Sequence, residues 1–152
     1  MKKKHLQVQQ LDNKFRLLGG LTKITVPPSG WLKAIREALG ISLDQLGRKL
    51  SITKQSVTEI EERERNGTIT LKSLREAADA LDMQLFYALI PKDGSLNDLI
   101  ERKAKELAKQ IVMRTSNTMK LEDQENSQQR IEKAIEERTT AIKNEMPRTL
   151  WD

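Results

Sequence analysis

The densest mixture of chemically versatile side chains lies between Ile41 and Glu62, in the run ISLDQLGRKLSITKQSVTEIEE. Hydroxyls, an amide, cations and carboxylates alternate there. Such groups recognise partners by hydrogen bonding and charge: glutamine can pair twice with adenine, lysine with guanine acceptors, and glutamate with the cytosine amino group. Covalent catalysis has little to work with. The chain has no cysteine and a single histidine, His5, so thiol nucleophiles and multi-histidine metal sites are excluded. Glu59, Glu61, Glu62 and Glu64 crowd one helix too closely for an acid/base pair. His5, near a chain end, is expected to be solvated. The expectation is a non-enzyme that requires no cofactor or metal.

Composition points the same way. Of 152 residues, 37% are hydrophobic, 32% charged and only 3% aromatic, a profile of helices built on Leu, Ile and Ala. No stretch nears the roughly 20 apolar residues of a membrane span, and polar LQVQQLDNK follows the first lysines where a secretory segment would be apolar. A soluble, cytoplasmic, bacterial protein with no membrane partner is expected, associated with the nucleoid when bound to DNA.

The net charge of +5 is unevenly placed. Residues 1–27 hold six Lys/Arg against one Asp, while residues 28–91 hold nine of each sign and residues 92–152 twelve of each. Residues 30–57 are locally basic, with five cations against two acids. A basic face ending at the acidic run from Glu59 to Glu64, read here as a solvated edge, suits a polyanion approached from one side.

Periodicity supplies the elements that would carry this face. Val8, Leu11, Phe15 and Leu18 mark a helix from about 4 to 18, stopped by Gly19-Gly20, and Val26-Pro27-Pro28 is an extended connector. Ser29 is positioned to cap a helix over 30–39, with Trp31 as core and Gly40 as its stop. Ser42 and Gln45 form a capping box, with Ile41 and Leu46 as its staple. Thr53 opens a helix to about Glu62, Asn66-Gly67 is a turn, and Thr70 opens one from Leu71 to Leu81, with Ile69 and Leu74 as its staple. LFYALI, residues 85–90, is the one strand-like run, suited either to pairing with its copy in a second chain or to a packed extended tail. Ser95, with Asp98, caps a long helix bearing a stripe from Leu96 to Val112. Thr115 to Thr118 is expected to interrupt it, and a last helix spans roughly 119–144, ended by Met146-Pro147. Leu150-Trp151 is placed to dock back.

Leu46 and Leu50, Ile52, and Val57 and Ile60 converge on one core, with Gly47 allowing the second helix to cross closely over the first. That is a helix-turn-helix whose second helix presents an outer face to a major groove. The run resembles the phage-repressor (XRE, lambda-repressor-like) helix-turn-helix family over roughly residues 30–81. The whole chain further resembles the family called mobile mystery protein A, through GWLKAIREALG (30–40), ITLKSLREAADAL (69–81), YALIP (87–91), NTMKLEDQ (117–124) and a terminal Leu-Trp. The resemblance implies an all-α, lambda-repressor-like bundle, with the short strand at about 85–90 and carboxy-terminal dimerisation helices. It implies base contacts by Lys54, Gln55, Ser56 and Glu59, and phosphate contacts by Ser42, Arg48, Lys49, Thr53 and Thr58. The sequence departs from the family pattern at Leu43, where a glutamine is common, at Gly47 in place of alanine, and at Ser51 in place of the turn glycine.

Three regions follow: a basic helix or arm over 1–27, the helix-turn-helix domain over 28–91, and a helical dimerisation or interaction region over 92–152. The leading function is a sequence-specific, dimeric regulator of transcription, a repressor binding an inverted-repeat operator in double-stranded DNA. In the resembled family such chains lie on mobile elements beside a Fic-domain protein, which implies autoregulation of a toxin-antitoxin-like operon. The competing reading is an antitoxin that binds and inhibits a Fic partner directly. Thr118-Met-Lys-Leu-Glu122-Asp123 resembles the Ser/Thr-x-x-x-Glu-Gly/Asn pattern of Fic-inhibiting helices except at its last position.

Overall fold

The computed structural model describes residues 2–119 and 127–152, with side chains for 2–115 and 128–152. Among them the structure is wholly helical. Helices α1 (Lys2–Leu17), α2 (Trp31–Ala38), α3 (Leu43–Leu50), α4 (Lys54–Asn66), α5 (Leu71–Ala80), α6 (Leu96–Met119) and α7 (Ser127–Glu145) are joined by a 3-10 turn at Gly19–Lys23 and followed by another at Arg148–Trp151. They form two compact units, one of Thr22–Ala88 and one of Met1–Leu21 with Leu89–Asp152.

In the unit spanning residues 22–88, hydroxyl caps set the helix starts. Ser42 Oγ accepts from Gln45 N (3.1 Å) and Gln45 Oε1 accepts from Ser42 N (2.8 Å), the reciprocal box that the sequence predicts. Thr53 and Thr70 cap α4 and α5 in the same way, each accepting from the third backbone N–H at 3.1 Å. Ser29 does not cap α2. The cap position is Gly30 (φ 89°), and the orphan N–H groups of Trp31 and Leu32 donate to the Glu64 carboxylate at 2.7 and 2.8 Å. A Cβ on Gly30 would lie 2.9 Å from that carboxylate and push it aside, and the positive φ favours glycine there in any case. Helix α4 continues about a turn past Glu62, because the left-handed stop is Gly67 (φ 76°).

The core of this unit comprises Leu32, Leu46, Val57, Ala77 and Leu81, ringed by Ile35, Leu50, Ile52, Ile60 and Leu74 among others. Trp31 is not core; it is 43% exposed, because its backbone rather than its ring is what α4 holds. The expected strand over 85–90 is also absent among the described residues: the run is irregular, with Phe86, Tyr87 and Leu89 exposed. A strand exists through its ladder to a neighbour, and the described residues contain none to pair with.

In the other unit, the stripe of α6 turns inward. Ile100, Ala104 and Ala108 pack with Ile142, Met146 and Leu150, and Val8 of α1, Leu107, Ile111 and Ile135 close around them. The two alanines are wholly buried and let helices approach closely. Helix α6 does not break at Thr115; that hydroxyl donates to the Ile111 carbonyl at 3.2 Å and fits within the helix. Residues 120–126, where the last helix was expected to begin, lie outside the described residues.

Polar fixings join the distant segments of this unit. Buried Asp12 accepts from Leu96 N (2.7 Å) and Asn97 N (3.1 Å), a tertiary cap for α6 supplied by α1. Ser95 Oγ accepts from Asp98 N at 3.0 Å, as the sequence predicts. Arg102 holds Asp93 through two hydrogen bonds, 2.8 and 3.1 Å, and Glu106 through a third. Those contacts keep the Asp93 carboxyl below the usual carboxylate range. His5 is exposed, with its Nε2 3.0 Å from the Asn144 carbonyl.

Candidate nucleic-acid interface

Helix α3, a left-handed Ser51 (φ 58°) and Thr53 produce the tight turn before α4. Gly47 makes it possible: a Cβ there would stand 2.7 Å from the Ile52 carbonyl oxygen, a backbone atom with little room to yield. Ile52 N donates to the Gly47 carbonyl at 2.9 Å across the same approach. Leu43, at the departure from the family pattern, packs against the core and presents no polar end outward.

Two polar links fix α4 to α2, one buried and one partly exposed. Arg36 Nε donates to Glu61 at 2.9 Å, and Arg36 Nη1 to the Ile41 carbonyl at 3.0 Å, with both charged side chains about nine-tenths buried. Glu64 supplies the cap already described. The acidic run is therefore not a solvated edge. Two of its four carboxylates are structural, and the sequence reading missed this. The available signal was spacing: Val57, Ile60, Glu61 and Glu64 share one helical face, the face that must be buried.

With that face inward, helical geometry turns Gln55, Glu59 and Glu62 outward. Lys54 and Gln55 are exposed in the first turn, with no side-chain partner among the described residues. Arg48 and Lys49 are likewise exposed and unpaired, in the last turn of α3. Thr53 Oγ1 is 3.0 Å from Ser56 Oγ, so half-buried Ser56 is engaged in capping. Thr58 donates to the Lys54 carbonyl at 3.2 Å. Glu59 sits 3.8 Å from Arg63 in an exposed pair. The structure thus gathers Ser42, Arg48, Lys49, Thr53, Lys54, Gln55, Ser56, Thr58 and Glu59 on α3, the turn and α4. Thr118 lies where no side chain is described, and Glu122 lies outside the described residues.

Four short helices around a glycine-tightened turn, with one exposed polar face, define the class as a helix-turn-helix domain. The helix-turn-helix family model matches residues 32–87, an XRE-type domain covering a little over a third of the chain. No curated protein and no solved structure matches the chain. Among the described residues no helix is long and apolar enough to cross a membrane.

Proposed function

We propose that the chain is a sequence-specific regulator that binds an inverted-repeat operator as a homodimer and represses transcription. The observation that carries this reading is the first turn of α4. Lys54 and Gln55 stand exposed with unspent hydrogen-bonding groups, Gln55 directly opposite the face fixed by Val57, Glu61 and Glu64 and Lys54 at the helix start. A rigid base with bare polar ends is what discrimination between base edges requires. Arg48 and Lys49 supply phosphate clamps beside it, and the amino termini of α3 and α4, capped by Ser42 and Thr53, add aligned N–H groups. Glu59 reads cytosine in this scheme, while Ser56 and Thr58 act at its margins. Glu62, outward one turn on, repels phosphate and confines reading to the first half of α4. The chain carries out no catalytic step.

Replacing Gln55 by Ala tests the assignment. Affinity for the best operator should fall by about 1–3 kcal/mol, with preference relaxed at one base pair. Unchanged discrimination at every position would remove Gln55 from the reading set.

The stretches that resemble mobile mystery protein A favour a narrower setting, autoregulation of a toxin-antitoxin-like operon on a mobile element. The alternative role, direct inhibition of a Fic-domain partner, is favoured by Thr118 and Glu122 at the spacing of an inhibitory helix. Glu122→Ala separates the two: loss of partner inhibition with operator binding intact assigns inhibition to that segment.

A further inference from the structure

Helix α1 packs on α6 and α7 with a face that is mostly polar. His5, Val8, Gln9, Asp12 and Arg16 recur at helical spacing and line one side of a cleft within the unit of residues 1–21 and 89–152. Val8 is the one α1 residue that packs with the buried cluster of Ile100, Ala104 and Ala108. Polar side chains at the other four positions do not interdigitate with an apolar stripe, and a cleft of about 500 Å³ is left beside them. Its far wall comes from Gly94, Ser95, Asn97 and Ile100 around the start of α6, and from Lys143 and Asn144 near the end of α7. That volume lies in the range of about 300–1,000 Å³ that holds small molecules.

The lining groups differ in how far they are already used. Asp12 is the only acid among them, and both its oxygens accept from backbone N–H groups, those of Leu96 and Asn97. Ser95 Oγ takes the Asp98 N–H and the Ser95 carbonyl takes that of Leu99, so the start of α6 itself has nothing left to offer. His5 is engaged with the Asn144 carbonyl. By contrast, Arg16 and the side-chain amides of Gln9 and Asn97 are exposed, with no partner among the described residues. Lys143 is half-buried, with exposed Glu101 at 3.9 Å. Two cations therefore line a cleft whose single carboxylate is spent, and Val8 and Ile100 add an apolar wall. We infer that this cleft binds a small organic anion. Arg16 and Lys143 take its carboxylate or phosphate group, Gln9 and Asn97 bond its other oxygens, and Val8 and Ile100 cover its carbon body. Its role as an effector rests on the regulator reading. Helix α1 precedes residues 22–88 in the chain and α6 follows them. A ligand that ties α1 to α6 restrains both segments through which the helix-turn-helix unit is connected, and so couples occupancy to operator affinity.

Amide NMR of the full chain reads the site without DNA, so its failure and that of the regulator reading are distinguishable. Citrate, glucose 6-phosphate and inorganic phosphate are titrated separately at constant ionic strength, with glucose as the uncharged control. At least one organic anion should give saturable shifts at Gln9, Asn97 and Asn144 with half-saturation below about 1 mM, and the better probe tells carboxylate from phosphate. Arg16→Gln should weaken that binding roughly tenfold or more, as expected for loss of a charge-assisted hydrogen bond. The side chain is exposed and unpartnered, so the fold does not depend on it. Arg16→Lys, which keeps the charge but not the fork, should fall between the two. No saturable shift from either organic anion, or equal binding by the parent and Arg16→Gln, overturns the inference. So do shifts spread evenly over exposed Lys2, Lys49 and Lys54, which mark counterion binding alone. On operator duplex, saturating anion should change parental affinity about fivefold or more and leave Arg16→Gln unmoved. An occupied site without that change contradicts the effector role. Anion binding by a chain that selects no operator leaves the site standing and contradicts the regulator reading.

Discussion

The two units solve the problem of holding helices together by different means. Between α2 and α4 the fixings are polar: the buried pair of Arg36 with Glu61, and half-buried Glu64 on the start of α2. Among α1, α6 and α7 the core is apolar and built on small residues, with Ala104 and Ala108 wholly buried. The contrast follows from what each helix must leave bare. Helix α4 has to expose its first turn, and a narrow apolar stripe of Val57 and Ile60 alone would let the helix roll. Bidentate polar links fix its rotation. Helix α6 has no such demand in this scheme, and close alanine packing holds it. Specificity of orientation, rather than net stability, is what buried charges contribute here, since a buried pair is about neutral against an apolar substitute.

The largest test breaks the polar side of that contrast. Glu61→Ala leaves Arg36 buried without its partner and should destabilise the 22–88 unit by about 3–5 kcal/mol in urea unfolding. Replacing both, Arg36→Met with Glu61→Leu, should recover most of the loss while impairing operator discrimination. Full discrimination in that double variant would show that the ion pair does not set α4.

The apolar side is broken by overpacking. Ala104→Leu inserts three carbons where no space exists and should cost about 1–3 kcal/mol. Hydrogen exchange should report the loss in α6 and α7, with α3 and α4 unaffected; loss spread evenly over both units would contradict two independent cores.

A smaller effect separates the caps. Thr53→Ala removes an acceptor of the usual kind and should cost about 1 kcal/mol. Asp12→Asn keeps the shape but removes the charge from the α6 terminus, and a loss of about 0.5–1 kcal/mol is expected from the helix dipole. A Thr53→Ala variant as stable as the parent would show that the α4 terminus is satisfied by water.

The smallest effect is the pH response of the exposed Asp93–Arg102 link. The folded carboxyl titrates below its ordinary value of 3.8, so its contribution is complete above that pH and fades as pH falls through the lowered value. Asp93→Asn should therefore be slightly less stable than the parent at pH 7, with the difference shrinking as pH falls below about 4 and the parent loses the same link. A difference at pH 3 larger than that at pH 7 would reverse the assigned sign.

These two regions also differ in how much could be read beforehand. The starts of α3, α4 and α5 were legible because Ser42, Thr53 and Thr70 act within three residues of themselves. Gly47 was legible too, since its neighbour across the turn is close in sequence. Glu64 on Trp31, Glu61 on Arg36 and Asp12 on Leu96 span 25 to 84 residues, and although helical spacing places Glu61 and Glu64 on the inward face, nothing local names the partner each one meets. The same blindness made Glu59 to Glu64 resemble a solvated edge. LFYALI failed differently: its composition is that of a strand, but composition cannot supply the neighbour to which a strand must bond.

The central claim is that the outward first turn of α4 reads base sequence. Selection of bound duplexes from a random pool, performed side by side with the parent and Lys54→Ala/Gln55→Ala, addresses it directly. The account predicts an inverted repeat for the parent, and for the variant the same symmetry with preference lost at one or two positions in each half-site. Recovery of one undiminished motif from both proteins, or of no motif from the parent, would contradict it.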